Sequence, residues 1–512
     1  MKTGTTIAVL FLLVFLNYQC GYQQGALVVD PNYEANCSSC HGEDLKGLAI
    51  GPSLLVENLK YGNTVEDIAN GIAKGYPEKG MPQYADVLTE DQIKNLAIWI
   101  GEKRANTSYA DYKIKKPLVI PDGIIKSERH DFHIEVVTEN LGQWPYSIEP
   151  LPNGSFLLTE KQRGLSIISA DGKQSDLIQG TPKVYDDGAF EPSGLMHGLG
   201  WMLEVTIHPE YEENGWIYMT FGDRCEGCNA ESRYIKRPVS LCKLVRGHIK
   251  NGQWVDQETI WESDVENYTA VPETTTGGRI TFDEDNHLYF SLGAKRYTPE
   301  PPGNFESYLG IQDLSKPYGK IYRLNDDGSL PEDNPFINHP TALKSIWTYG
   351  HRSPQGLEYN FVTKQLWGTE MGPRGGDEVN LLKAGKNYGW PLVSKGMDYD
   401  GTKVEYGKHL GIDADTMEIE APKVDMTPSP AVSSFIFYQG DQFPNWQNNM
   451  IVGSLKAATL YRFVLEGEEV IKEEILLKDL ARIRDIEVGY DGLIYLLLEH
   501  KSGGQLVRLV PQ

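Results

Sequence analysis

The chain has 512 residues and a mass of 57.4 kDa, more than one hydrophobic core ordinarily organises, so two or more domains are expected. Its 40% apolar content, with 52 Gly, 29 Pro and 28 Tyr, describes a turn-rich globular protein and argues against a multi-span membrane protein, a helical bundle or a long disordered tract. A formal net charge of −23 with no basic run argues against nucleic acid as a partner.

Residues 1–20 read as an export signal. Lys2 precedes the apolar run 7–16, too short to cross a bilayer and of the right length for a signal-peptide core. The expectation is a protein exported to the bacterial periplasm. Cys20 follows directly and resembles a lipoprotein cysteine, which would carry a lipid anchor holding the protein to the membrane, although Asn17-Tyr18-Gln19 departs from the small residues usual before that position.

Residues 27–106 form the next unit. Cys37-Ser38-Ser39-Cys40-His41 sets two thiols one helical turn apart with an imidazole beside the second. That arrangement suits two thioether bonds to haem c, with His41 as an axial iron ligand. Gly80-Met81-Pro82 offers a second axial ligand, Met81, at a chain turn about forty residues on. Thr89-Glu90-Asp91-Gln92 reads as an N-cap and first turn, followed by an apolar stripe of Ile93, Leu96, Ala97 and Ile100 on a closing helix. The span resembles a class I cytochrome c, and the resemblance implies that the Gly51-Pro52 loop orients His41 through a carbonyl. Residues 107–130, with Pro117 and Pro121, are expected as a linker.

From residue 131 to 512, short β-rich runs alternate with turn signals: Pro152-Asn153-Gly154, Asp171-Gly172, Asp283-Glu284-Asp285-Asn286, Asp326-Asp327-Gly328 and Tyr490-Asp491-Gly492. Similar runs follow several of them, at 155–159, 287–291 and 493–497. A recurring strand–turn–strand unit predicts a β-propeller, and at roughly 60 residues per blade six blades fit. The expected fold is therefore an all-α cytochrome c domain followed by an all-β six-bladed propeller.

Several passages of the body carry a resemblance: Gly350-His351-Arg352-Ser353-Pro354-Gln355-Gly356, Gly372-Pro373-Arg374-Gly375-Gly376-Asp377-Glu378-Val379-Asn380, Gly385-Lys386-Asn387-Tyr388-Gly389-Trp390-Pro391, Gly453-Ser454-Leu455-Lys456 and Arg482-Ile483-Arg484-Asp485. With these, residues 131–510 resemble the soluble quinoprotein sugar dehydrogenases of the glucose/sorbosone and aldose type, which bind pyrroloquinoline quinone (PQQ) and calcium. The resemblance implies that Arg352, Lys456, Arg482 and Arg484 surround the cofactor. A planar tricarboxylate quinone needs such cations and fork-shaped donors. It implies too that the carbonyls of Gly372 and Pro373 help hold the calcium.

At the reactive centre the chain departs from that family. The family's proton-abstracting His stands where Thr275 is found, and the Asp that orients it where Ala294 is found. A Gln is replaced by Leu199, and an Asn beside Arg352 by Ser353. Thr cannot serve as a base near neutral pH and Ala has no titratable group. His197, two positions from the changed Gln, is then the candidate catalytic base. Cys225, Cys228 and Cys242 fall at an apparent loop after a strand at 216–221, where one disulfide is expected with its pairing open.

The expected function is PQQ-dependent oxidation of a sugar or other alcohol, with electrons passed internally to haem c and then to a soluble cytochrome or a membrane respiratory-chain acceptor. The alternative is an electron-transfer cytochrome fused to a catalytically altered propeller that binds carbohydrate or a partner. Placement of His197 relative to the cofactor residues separates the two.

Overall fold

A computed structural model describes residues 30–105, 117–142, 144–190, 196–295 and 306–512. The signal segment, Cys20 and residues 106–116 lie outside the described residues.

The N-terminal domain is helical: α1 (Pro31–Asn36), α2 (Ser38–His41), α3 (Val65–Lys74) and α4 (Glu90–Arg104). Asp30 caps α1 by accepting from Asn32 N, and Pro31 occupies the first turn, where its missing N–H costs nothing. Both α3 and α4 begin with a capping box, Thr64 with Asp67 and Thr89 with Gln92, so the N-cap expected at Thr89 forms. Tyr33, Ile68, Ile72, Ile93, Leu96 and Ile100 share one core. Helix α4 buries more than the stripe visible in its sequence: Ile98, Trp99 and Glu102 are buried as well. The helix lies between its own domain and the body of the protein, with Ile98 against Gly375 and Gly101 against Pro428. A helix enclosed on several sides no longer shows a polar outer face.

The body is a six-bladed β-propeller. Blade 1 has three strands, Pro145–Pro150, Phe156–Glu160 and Gly164–Ile168. Blades 2 to 5 have four each and begin on Met202–Ile207, Gly277–Phe282, Pro354–Asn360 and Val432–Phe437. Blade 6 runs Arg482–Val488, Ile494–Glu499 and Gly504–Pro511, and its fourth strand is the first of the body, Phe132–Leu141, in antiparallel register from Phe132 opposite Pro511 to Leu141 opposite Gly504. This joins the two ends of the body, and the six first strands each touch the next in a closed ring. The recurrent runs at 155–159, 287–291 and 493–497 are the second strands of blades 1, 3 and 6.

Two local expectations change. Part of the expected linker is laid on the propeller: Leu118, Ile120 and Ile125 pack on the core of blades 5 and 6, and Ile125 pairs with Phe132. The strand expected at 216–221 extends over Ile217–Cys225, so Cys225 closes a strand, and its disulfide is with Cys228, leaving Cys242 buried and free.

Arg279, on the first strand of blade 3, ties the ring together across its axis. It donates to Glu204 of blade 2 at 2.6 Å, Asp485 of blade 6 at 2.7 Å and the carbonyl of Gln355 of blade 4 at 2.8 Å. Asp485 in turn accepts from Ile148 N of blade 1 at 2.8 Å. Four blades thus meet a fifth through one buried ionic knot above which the cavity described below opens.

Candidate functional site

Two of the cavities that border helix α4 gather the candidate site residues singled out in the sequence. The first, about 290 Å³, lies in the helical domain and is lined by Cys37, Cys40, His41 and Met81 together with Pro52, Tyr84 and Ile100. The donors separated in sequence are therefore brought to one space. His41 donates from Nδ1 to the Pro52 carbonyl at 2.8 Å, which leaves Nε2 as the ring nitrogen able to bind a metal. Met81 is fixed through its backbone, which exchanges hydrogen bonds with Tyr76. The turn before it requires Gly75: φ is +62°, and a Cβ there would lie 2.4 Å from the Pro82 carbonyl.

The second cavity, about 160 Å³, opens at the end of the propeller ring under α4. The candidate base His197 and the expected cofactor and calcium residues Arg352, Gly372, Pro373, Lys456, Arg482 and Arg484 line it, with Thr275 and Ser353, whereas Leu199 does not. Ala294 does not line it. Its carbonyl accepts the Thr275 hydroxyl, so that hydroxyl is held against the backbone.

The loop bearing Gly372 and Pro373 turns through Gly375 and Gly376, at φ +80° and +71°. Asp377 closes it, accepting from Gly372 N at 3.0 Å and Val432 N at 2.9 Å, and burial pushes its carboxyl up to about 6. Arg352 donates to the carbonyls of Met371 at 3.1 Å and Gly372 at 2.8 Å, and its guanidinium lies 5.3 Å from the Trp390 ring centre. Glu370, bonded to His351 at 2.9 Å, accepts from Arg352 N.

Arg482 and Arg484 stand on the first strand of blade 6 opposite the fully buried Glu499 of the next strand. Glu499 takes Arg482 Nε at 2.6 Å and Arg484 Nη2 at 2.6 Å. Burial alone would raise the Glu499 carboxyl, but the two arginines and Lys161 hold it well below the carboxylate range. Glu273 accepts from Gly200 N at 3.1 Å, Trp201 N at 2.9 Å and Ser240 Oγ at 2.5 Å. It thereby fixes the segment after His197, which itself pairs with Ala189 in a short two-stranded ribbon.

One wall comes from the helical domain. Glu102 of α4 is 6% exposed, with Lys456 Nζ at 3.0 Å and Arg374 Nη2 at 3.4 Å, while Arg374 Nη1 donates to Asn95 Oδ1 at 2.6 Å. Burial opposes ionisation of Glu102, and the two cations together prevail and lower its pKa. Glu102, Glu273, Glu499, Lys161 and Arg374 were not identified as site residues in the sequence. Their partners lie on a paired strand, on another blade or in the other domain, so short-range spacing along the chain carries no sign of them.

A sugar-dehydrogenase propeller is what this ring and cavity define: the family model described as glucose/sorbosone dehydrogenase matches residues 142–508, and the chain belongs to that family. Among its relatives, aldose sugar dehydrogenase YliI of Escherichia coli (strain K12) is 32% identical over 404 residues, covering 77% of this chain and 97% of that protein. Quinoprotein glucose dehydrogenase B of Acinetobacter calcoaceticus is 26% identical over 447 residues, covering 75% and 88%. The crystal structure of the soluble E. coli aldose sugar dehydrogenase in its apo form superposes with a TM-score of 0.61 at 30% identity, covering 74% of this chain and all of that one. Residues 29–100 match the family model described as cytochrome c oxidase, cbb3-type, subunit III.

Proposed function

We propose that the protein is a PQQ-dependent dehydrogenase acting on a sugar or other alcohol, with a covalent haem c in its helical domain as the internal electron outlet. The observation that carries this reading is that α4 forms a wall of both cavities, Ile100 on one side and Glu102 on the other.

The donors suit both groups. Cys37 and Cys40 would hold a haem by thioether bonds, with His41 Nε2 and Met81 as axial ligands. Arg352, Lys456, Arg482 and Arg484, held in place by carboxylates and carbonyls, would face the acidic groups of the quinone. The carbonyls of Gly372 and Pro373 supply two of the six to eight oxygens calcium takes, so a calcium there would draw the rest from the quinone and water. Bound in these places, the quinone supplies a two-electron acceptor, calcium polarises it, and the haem supplies a one-electron outlet.

The chain's own residues do the rest. Thr275, bonded to the Ala294 carbonyl, stands in place of the family's usual base and takes no proton. His197 lines the same cavity and is the side chain proposed to accept the substrate hydroxyl proton. Glu102 of helix α4 would close one wall of the cavity around the substrate. Export through residues 1–20 would place the protein in the periplasm, free or lipid-anchored at Cys20, where a soluble cytochrome or a membrane chain would accept the electrons.

The Thr275 bond also favours a second reading, a propeller that binds a carbohydrate or partner without oxidising it. Stopped-flow spectroscopy of the haem band separates the two, using holoprotein with calcium, with and without PQQ, against a panel of aldoses and simple alcohols. Quinone-dependent haem reduction is the expected result. Tight PQQ binding with no reduction by any substrate would leave the binding module.

A further inference from the structure

Lys161 follows the second strand of blade 1 and is clamped through its backbone, its N–H donating to Trp144 O at 2.9 Å and its carbonyl accepting from Met202 N at 2.9 Å. Its side chain lines the cavity and is nine-tenths buried, at 9% exposure. Its ammonium nitrogen lies 5.0 Å from the Trp201 ring centre and 5.5 Å from that of Tyr146. Among the described residues no hydrogen bond leaves that nitrogen. Its nearest carboxylate oxygen, Glu499 Oε2, is 3.9 Å away and is already taken by Arg484 at 2.6 Å.

A buried amine with three donors and no acceptor is an incomplete arrangement. The groups around it make the deficit electrostatic. Arg482 and Arg484 face it from blade 6 and Arg279 from blade 3, against the single charge of Glu499, with the Tyr146 ring from blade 1. Burial, then repulsion from Arg484, Arg482 and Arg279, outweighs Glu499 and drives the lysine well below its ordinary range. An anionic oxygen arriving in the cavity reverses that balance, since it provides both the acceptor and the counter-charge.

We propose that Lys161 is an anion-binding residue of this cavity, receiving a carboxylate oxygen of the ligand and taking up a proton from solvent as it does so. This deepens the reading above and rests on it, because the polycarboxylate in question is the quinone cofactor. The further consequence is that cofactor loading is proton-coupled.

The test is calorimetric titration of PQQ, with calcium, into the full-length haem-loaded protein in two buffers of different ionisation enthalpy, between about pH 6 and pH 10. Wild-type protein should take up about one more proton on binding than Lys161→Met, and Lys161→Met should bind on the order of tenfold more weakly. Lys161→Arg, charged at every pH, should keep the affinity and lose the extra uptake. Protons taken up elsewhere in the site, at Asp377 for example, are common to both proteins and cancel in the comparison. Equal proton uptake and equal affinity in wild type and Lys161→Met would overturn the role of Lys161 while the cofactor assignment stands. Absence of PQQ binding by the wild type would remove the cofactor assignment and this inference with it. An unchanged thermal midpoint and haem spectrum in the arginine variant guard against a folding artefact.

Discussion

Ile100 and Glu102 stand two residues apart on α4 and belong to different cavities: Ile100 lines the one with Cys37, His41 and Met81, and Glu102 the one with Lys456 and Arg352. Residues at this spacing point to opposite sides of a helix. The two sites are thus separated by the thickness of one helix, about 10 Å. The contact that seats the helix is ionic and buried, so it constrains orientation more than a flat apolar face would.

Removing the Glu102 carboxylate deprives the buried Lys456 and Arg374 of one shared anionic partner, a change that costs about 3–5 kcal/mol in comparable pairs. Glu102→Gln is expected to loosen the docking of α4, slowing substrate-driven haem reduction on the order of tenfold while reduction of an external dye by the propeller persists. Because the folded-state pKa of Glu102 is depressed, its contribution is complete above the ordinary carboxylate value and is lost only as pH falls through the lower folded value. Docking measured by small-angle scattering should therefore hold at neutral pH and fail only in strong acid.

Glu499→Gln removes the anion shared by Arg482, Arg484 and Lys161. A loss of about 3–5 kcal/mol of unfolding free energy is expected at pH 7, read as a lower denaturation midpoint of the propeller. The deficit should shrink as pH drops below the carboxylate range, where the wild-type side chain also begins to lose its charge.

The channel below the cavity predicts the opposite pH trend. Glu149, Glu358 and Glu487 face it, and burial, together with repulsion from Glu204 and Asp485, raises all three carboxyls well above their ordinary value. A raised folded pKa gives stability that is present below the unfolded value and lost as pH rises through the folded one. Glu358→Gln should raise the urea midpoint at alkaline pH and leave it nearly unchanged in mild acid.

If His197 accepts the substrate proton, His197→Ala should lower the rate of haem reduction by about 10²- to 10⁴-fold with PQQ affinity unchanged. An unaltered rate would dismiss the imidazole from the chemistry.

If the helical domain carries haem c as proposed, Met81→Ala should keep the haem attached, lower its reduction potential and open the reduced iron to carbon monoxide, both read spectroscopically. Retention of the wild-type potential would place the sixth ligand elsewhere.

Much of the architecture was legible because its signals are local. The turns at 152–154, 283–286 and 490–492 each join the first two strands of a blade, and the repetition of that unit announced the propeller. The capping box at Thr89 and the spacing of Ile93, Leu96 and Ile100 marked the start and inner face of α4. Other local readings stopped short. The strand through Ile217–Cys225 is longer than its apolar part, since pairing with Val239–Lys250 carries the polar residues Asp223 and Arg224 along.

The chain by itself declared its chemical types and their short-range spacing: a pair of cysteines with an adjacent histidine, a methionine in a glycine–proline turn, and four cations in the later part of the repetitive body. Which charge meets which was decided only on folding. Glu499 reaches Arg482 through strand pairing, Arg279 reaches Asp485 through closure of the ring, and Glu102 reaches Lys456, 354 residues away, through docking of one domain on the other. Helix and turn signals act over a few residues and are written into adjacent positions. A buried ion pair is selected by the cost of leaving a charge unpaired in a low dielectric, and that cost exists only once the surrounding surfaces have closed.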